Sequence, residues 1–383
     1  MTTCYQAGAS GPNAQDESGQ VAAAIARRAT ARDGGPESLL IGRLPALSVR
    51  SRAEPVDVTS EGWQAELPAS VAGAFDEDLV RLGDKQSLAR TLLAALAWAN
   101  GPGLPWDNIW VPVARAIAEL GGEAVQSPVS GEDVRWLLGK AGACIVEDLG
   151  PGGRSVYRPF HDLLAAHLRG DPVTEQTRSD PTATAAWQRR RAHTEAAITG
   201  ALLATVQAGT QGRPDWLGAH PYLCTYLAQH AAAAGTQTLA ALVADMDFLA
   251  VADPVTLSPL LSPAVPELRD AARIYRRARP LLAQDAPANA AYLQEAARAL
   301  TSAAAAPEGA GIRPVYRTHF GSVRGDDSLI TFTGHNARVD SVAFGTTADG
   351  RLLLASASGA DGKVRESALS NPGLTAAGHP IRR

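Results

Sequence analysis

Residues 131–170 read GEDVRWLLGKAGACIVEDLGPGGRSVYRPFHDLLAAHLRG, and the spacing of apolar side chains in this stretch decides the predicted fold. The stretch opens with a helical pattern that carries acidic residues in its first turn, where the helix dipole favours them. The period then changes, and two short strands are predicted over 143–148 and 154–158, joined by a Gly-Pro-Gly-Gly turn. A closing helix is predicted over 160–168, with Pro159 in its first turn.

Two more apolar helices are predicted on the N-terminal side of this stretch, over 88–98 and 109–120. The sequence Asn-Gly-Pro-Gly at 100–103 separates them, because glycine and proline stop helices. Three helices, a hairpin and a closing helix are typical of a winged-helix domain, which we predict over residues 85–170. The tryptophans of this unit are expected to form its core, with an aromatic ligand site as the alternative. They are Trp98, Trp106, Trp110 and Trp136.

The rest of the chain divides into segments of different composition. Residues 1–20 are polar and predict a flexible tail, whereas residues 21–84 carry short helical runs. Beyond a polar linker, alanine- and leucine-rich helices over 183–305 are cut by glycine and proline, which indicates a helical array. Residues 313–370 switch to strand character, with strands predicted over 329–332, 339–344 and 352–356, and the predicted β segment spans 313–383. The predicted fold is therefore mainly α, with a winged-helix domain, a helical array and a short C-terminal β segment.

Charge and hydropathy limit the partners of the chain. Its 383 residues have a formal net charge of −4 and no long block of like charges, so neither nucleic acid nor an acidic membrane is favoured. Its apolar runs are far shorter than the roughly 20 residues of a membrane helix, and no secretory signal is visible, which predicts a cytoplasmic protein. The three cysteines are scattered and predict neither a disulfide framework nor a metal site.

Lysine is rare in this sequence, and the residues that follow each lysine argue against one class of activity. A phosphate-binding P-loop needs Gly-Lys followed by Ser or Thr, whose hydroxyl holds magnesium. Here Lys85, Lys140 and Lys363 precede Gln, Ala and Val. We therefore predict that the chain is not an enzyme, with no ATP hydrolysis of its own, no catalytic residues and no bound cofactor.

A repeat-like pattern begins at Gly334-His335 and returns with a second Gly-His pair at 378–379, that is, 378 − 334 = 44 residues later. An apolar strand over 339–344 and two Asp-Gly turns stand between the pairs. This region resembles one blade of a WD-repeat β-propeller, whose period is roughly 40–45 residues. It departs from that family at Glu366-Ser367, where Trp-Asp is expected. Because a propeller closes with about four or more blades, the resemblance implies an incomplete blade.

A second motif, Phe160-His161-Asp162, stands at the start of the predicted closing helix. It resembles the Met-His-Asp motif of signal-transduction ATPases with numerous domains, with Phe160 in place of Met. The resemblance implies that His161, with Asp162 beside it, contacts the β-phosphate of bound ADP and so holds a closed state. A helix N-terminus attracts anions, and a histidine there can donate to a phosphate. The simpler interpretation is that His161 caps the helix or packs locally.

The resemblance to bacterial WD-repeat regulators of this class covers most of the chain, about residues 20–370. It rests on the order of the segments, and in particular on 92–117, 134–169 and 220–235. Residues 21–84 would match the helical end of the ATPase module. The resemblance implies a nucleotide-gated switch, of which this chain, truncated at both ends, holds the arm without the P-loop core.

The predicted function is accordingly that of a non-catalytic regulatory fragment that acts through protein–protein contacts. The sequence is also compatible with a decayed product that has no function. One alternative is a nucleotide-sensing arm completed in trans by a P-loop chain, in which His161 and Asp162 bind ADP or ATP. Another is a DNA-binding winged-helix regulator. The predicted winged helix carries eight basic and eight acidic residues, and its third helix opens with Glu132-Asp133, which would meet phosphate with the wrong charge.

Overall fold

The computed structural model describes most of the chain between residues 57 and 318 and parts of the two ends. The described residues are 19–24, 27, 57–66, 71–121, 128–141, 144–172, 179–209, 212–300, 311–318, 339–346, 352–358 and 363–369. Contacts divide the chain into one unit over residues 1–322 and a second over 323–383. Both Gly-His pairs and most of the predicted tail lie outside the described residues.

The first unit is mainly helical, which confirms the predicted fold class at that level. From residue 71 onward, the α-helices of its described part are α1 (Val71–Val80), α2 (Gln86–Ala97), α3 (Val111–Gly121), α4 (Gly131–Ala141), α5 (Asp162–Arg169), α6 (Pro181–Leu203), α7 (Pro221–Ala234), α8 (Thr236–Val243), α9 (Met246–Val251), α10 (Pro254–Leu257), α11 (Arg269–Ala278) and α12 (Ala286–Leu300). Its strands are β1 (Leu104–Pro105), β2 (Ile145–Leu149) and β3 (Ser155–Pro159).

Helix α2 is the central element of the region that the sequence assigns to a winged helix. Its apolar residues are so dense that Leu92, Leu93 and Leu96 are all buried. Trp110 is fully buried as well, and its indole Nε1 donates to the Leu92 carbonyl oxygen at 2.9 Å. The indole therefore fills the core while its polar atom keeps a partner.

The four tryptophans of this region differ in depth. Trp98 and Trp110 are buried, whereas Trp106 and Trp136 are half-buried. The ammonium nitrogen of Lys85 lies 4.8 Å from the Trp136 ring centroid, so this ring meets a surface cation as well as the core. The core prediction is thus right for Trp98 and Trp110 and only partly right for the other two.

The predicted hairpin is present, and its strands are displaced by about one residue. β2 and β3 are antiparallel, with Ile145 opposite Pro159, and β1 pairs with the other edge of β3. The prediction that Pro159 opens the next helix was wrong, because this residue ends β3. The Phe160 N–H donates to the Cys144 carbonyl oxygen at 3.0 Å and so continues the backbone ladder beyond the proline, which has no N–H.

Helices α6–α12 occupy the region predicted as a helical array, and polar side chains fix several of their ends. Asp180 and Asp253 each accept a hydrogen bond of 2.8 Å from the backbone N–H two residues on, and a proline follows each as the first helical residue. Buried Asn289 donates through Nδ2 to the carbonyl oxygens of Ala250 and Ala283 at 2.9 and 2.8 Å. These bonds tie α12 to the chain before it.

The segment 311–318 packs against this helical region. The buried carboxylate of Asp247 accepts hydrogen bonds from the Gly311 and Ile312 N–H groups at 2.7 and 3.2 Å. The contact boundary after residue 322 therefore lies later in the chain than the predicted start of the β segment at 313.

The second unit contains a three-stranded antiparallel sheet in the order β4-β5-β6. Its strands are β4 (Ser341–Thr346), β5 (Leu352–Ser358) and β6 (Lys363–Leu369). Phe344 stands opposite Leu354, and Leu354 stands opposite Ser367. Strand character was expected for β4 and β5, while β6 was recognised only as part of the repeat motif.

Candidate functional site

The motif residues His161 and Asp162 lie where β3 gives way to α5. His161 has an extended backbone, with φ −154° and ψ 148°, and is the N-cap of α5 rather than a first-turn residue. Its Nδ1 accepts a hydrogen bond from the Leu163 N–H at 3.1 Å. The local capping interpretation is therefore correct as far as Nδ1 is concerned. A neutral ring that accepts through Nδ1 carries its proton on Nε2, which leaves one donor for a ligand. Asp162 is exposed in the first turn.

The other histidine of α5 belongs to a different contact. His167 Nε2 lies 3.2 Å from Asp76 Oδ1 on α1, and Arg90 on α2 pairs with the same oxygen. The His167 ring also meets Phe75 edge-on, with centroids 6.1 Å apart. His161 and His167 therefore do not form one site. The contact of His167 docks α1 against α2 and α5 instead.

A tight joint connects the loop after α2 to helix α7. Gly101 has φ +67°, and a Cβ placed there would lie 2.1 Å from the Tyr226 ring. Gly103 has φ +145°, and its Cβ would lie 2.5 Å from the Tyr157 carbonyl oxygen on β3. Only glycine fits at both positions, so this loop is held closely between the sheet and the helical region.

A chain of hydrogen bonds runs through this joint, and we call it the buried relay: Asn100, Tyr222, His230 and Glu195. The Asn100 N–H donates to the Tyr222 hydroxyl oxygen at 3.0 Å. The same hydroxyl lies 2.9 Å from His230 Nε2, and His230 Nδ1 lies 2.7 Å from Glu195 Oε2. One arrangement of protons satisfies every link. Tyr222 donates to Nε2, and the ring donates from Nδ1 to the carboxylate.

The buried relay is closed to solvent from Tyr222 to Glu195, whereas Asn100 at its other end is half-buried. Tyr222 and His230 are fully buried, and Glu195 is 5% exposed. Burial raises the pKa of the Tyr222 phenol far above its usual range, with the Glu195 charge acting in the same direction and the Asn100 N–H against it. The relay has the residue types of a proton-transfer site, yet its phenol, imidazole and carboxylate are enclosed by other residues. Its chemistry is therefore that of a satisfied polar network that fixes the positions of α6, α7 and the loop after α2.

A second polar feature, His220, caps α7 beside the relay. Its Nδ1 accepts from the Tyr222 N–H at 3.1 Å, while its Nε2 is buried with no partner among the described residues. Burial is the main cause that lowers the pKa of His220. The nearby Arg154 charge lowers it further, and Asp107 opposes both. His220 is therefore held neutral near pH 7.

The surface that a DNA-binding winged helix would use is poorly suited to phosphate. At the start of α4, Asp133 Oδ2 accepts from the N–H and the hydroxyl of Ser130 at 2.9 and 2.8 Å, and Glu132 is exposed beside it. On the hairpin, Glu147 and Asp148 are exposed. These carboxylates would face the DNA backbone.

Sequence reasoning missed the buried relay. Nothing in the sequence pairs His230 with Glu195, 35 residues earlier. Two signals were present: the Asn-Gly-Pro-Gly breaker that holds Asn100, and a glutamate that stands among apolar residues of α6. Among the described residues, no group of three or more His, Cys, Asp or Glu side chains is placed to hold a metal ion.

Comparisons with known proteins add no relative. The scan of protein-family models, the search of curated proteins and the search of solved structures each gave no match. In the described part of the chain, no helix combines the length and the apolar character that crossing a lipid bilayer requires.

Proposed function

We propose that this chain is the non-catalytic regulatory arm of a WD-repeat signal-transduction ATPase of the class with numerous domains, and that it acts through protein–protein contacts. The buried relay from Asn100 to Glu195 carries this proposal. It ties the loop after α2 to helices α6 and α7 through three hydrogen bonds, of which the two that involve His230 are fully buried. An arm that transmits a change of position needs a fixed joint of this kind, whereas a catalytic site needs access for its substrate.

The finer assignments of the fold belong to the same proposal. Three helices (α2, α3 and α4), the β2–β3 hairpin and α5 follow one another in the order of a winged helix, and β1 adds a third strand to the hairpin. The β4–β6 sheet is an antiparallel meander, which supports a WD-type blade. Together with the His-Asp pair at the start of α5, this order supports the signalling class.

The proposal is tested by crosslinking and mass spectrometry on tagged chain in the cells that produce it. We expect one protein partner to crosslink repeatedly to the first unit. Tyr222→Phe keeps the ring but opens the buried relay, so it should lower the yield of that partner. Tyr226→Phe removes a hydroxyl that has no hydrogen bond to the described residues, and it should leave the yield unchanged. The absence of any partner, or ATP turnover by the pure chain, would contradict the proposal.

One observation favours a second candidate, a nucleotide-sensing arm completed in trans. His161 is half-buried at a helix N-terminus and keeps its Nε2 donor, because only Nδ1 serves the cap. With a P-loop partner bound, His161→Ala should weaken Mg-ADP affinity about ten-fold or more, since a hydrogen bond to a charged group contributes roughly 1.5–3 kcal/mol. His193→Ala, on the exposed face of α6, is the matched control. Equal affinities for both variants and the parent chain would remove this candidate.

A further inference from the structure

A cleft of about 640 Å³ opens in the first unit where four elements meet. The loop before α3, the first turns of α3 and α4, and the residues after α6 form its walls. Its side chains include Trp106, Asn108, Val111, Arg115, Thr205 and Gln207. Its size falls within the range of clefts that bind small molecules or a few residues of peptide.

Arg115 supplies the free charge of this cleft. Its Nε donates to the carbonyl oxygen of buried Val129 at 2.7 Å, which orients the guanidinium. Within the described ranges, no carboxylate pairs with Arg115, and Glu119, one turn further along α3, stays beyond ion-pairing distance. The terminal nitrogens of the guanidinium are therefore left to bind an acceptor, in the fork geometry that suits a carboxylate.

Trp106 supplies a second donor. Its ring packs edge-on against Tyr157, with centroids 6.5 Å apart, so its position is fixed. Its indole Nε1 donates to no described residue and faces the start of α4, where a Cβ at Gly131 would lie 3.9 Å away. Since Gly131 also lines the cleft, the indole N–H is available to a ligand there.

Two charged side chains, Asp107 and Arg115, line the cleft, and of these Arg115 has no ion-pair partner among the described residues. Asp107 is held by Arg154 at 3.0 Å, so its charge is offset. Arg135 lies above the Trp106 ring, 6.0 Å from the centroid, and Glu132 is exposed next to the start of α4. Neither of these two side chains lines the cleft.

We propose that this cleft binds a carboxylate side chain carried by an extended segment of a partner protein, an inference that rests on the proposed interaction function. Arg115 and the Trp106 indole N–H receive the carboxylate. The amides of Asn108 and Gln207 have donors and acceptors that match peptide groups on either side, and Val111 offers an apolar contact.

Nuclear magnetic resonance of the full chain tests the proposal with two capped tripeptides, acetyl-Ala-Glu-Ala-amide and acetyl-Ala-Gln-Ala-amide. The indole N–H resonance of Trp106, assigned by its loss in Trp106→Phe, should shift with the glutamate peptide at a concentration at least about ten-fold lower than with the glutamine peptide. Arg115→Gln should abolish this preference. Arg189→Gln, an exposed arginine of α6, should preserve it.

Three outcomes would overturn the proposal: no shift of the indole resonance, equal shifts with both peptides, or an equal response to inorganic phosphate. The last of these would identify a general anion site. If Arg115→Gln does not fold, Arg115→Lys replaces it, because lysine keeps the positive charge but cannot donate two parallel hydrogen bonds to a carboxylate. This variant must show a smaller preference for the glutamate peptide over the glutamine peptide than the parent chain does. If a partner crosslinks but the indole resonance does not shift, the cleft proposal is wrong and the proposed interaction function stands. If the indole resonance shifts but no partner crosslinks, the proposed interaction function is wrong.

Discussion

Replacing Tyr222 by Phe is the sharpest perturbation of the buried relay, because it removes one oxygen and keeps the fully buried ring in place. That oxygen accepts from the Asn100 N–H at 3.0 Å and bonds His230 Nε2 at 2.9 Å. Fully buried His230 Nε2 and the half-buried Asn100 N–H would both lose their hydrogen-bond partner, and a buried group without a partner costs about 1–3 kcal/mol. We therefore expect the free energy of unfolding of the first unit to fall by about 2–4 kcal/mol.

Urea unfolding followed by far-ultraviolet circular dichroism measures this loss as a lower transition midpoint at unchanged slope. Tyr226→Phe is the matched control. Its ring centroid is 5.1 Å from that of Tyr222, and its hydroxyl makes no hydrogen bond to the described residues. The control should cost under about 0.5 kcal/mol. Equal stability of Tyr222→Phe and the parent chain, or equal losses in both variants, would refute the relay as the element that fixes the joint.

Three further perturbations follow from the same region and its surroundings. Gly101→Ala forces a Cβ to within 2.1 Å of an α7 tyrosine ring at φ +67°, and should destabilise by about 2 kcal/mol or more in the same assay. Gly212→Ala, with φ +73° and open space, should cost only about 1 kcal/mol, and equal losses would contradict the close approach. Because burial lowers the pKa of His220 below its ordinary 6.5, the unfolded chain binds more protons, and the free energy of unfolding should fall as pH drops below about 6.5. His220→Asn keeps a capping acceptor and should lose less stability between pH 7 and pH 5, whereas identical pH profiles would show that His220 has no part in the loss. Asp247→Ala should speed hydrogen exchange at the Gly311 amide about ten-fold or more while core amides of α12 keep their rates, and unchanged exchange at Gly311 would contradict the tether.

Features that depend on local spacing were predictable from the sequence. The dense apolar run of α2, the hairpin around its Gly-Pro-Gly-Gly turn and the glycine and proline breaks of the helical region all express short-range periodicity. The assignment of Pro159 failed because proline suits the end of a strand as well as the first turn of a helix, and the pairing with Ile145 decides between them only in the folded chain.

The joint was beyond sequence reasoning for a physical reason. Asn100 and Tyr222 are 122 residues apart, and their bond forms only after the loop following α2 packs on α7. His230 would be an unsatisfied polar group on an apolar helix without Tyr222 and Glu195, so its role depends wholly on tertiary structure. For His161, the sequence predicted a helix cap as one of two interpretations. That its Nε2 is left as a donor could be inferred only from the observed bond between the Leu163 N–H and Nδ1.

Calorimetric titration of the pure chain with Mg-ADP and with Mg-ATP tests the central claim most directly, because a regulatory arm without a P-loop has no nucleotide site of its own. We predict no heat of binding with either nucleotide, for the parent chain and for His161→Ala alike. Micromolar binding that His161→Ala abolishes and His193→Ala preserves would contradict this account, and would establish a nucleotide site within this chain.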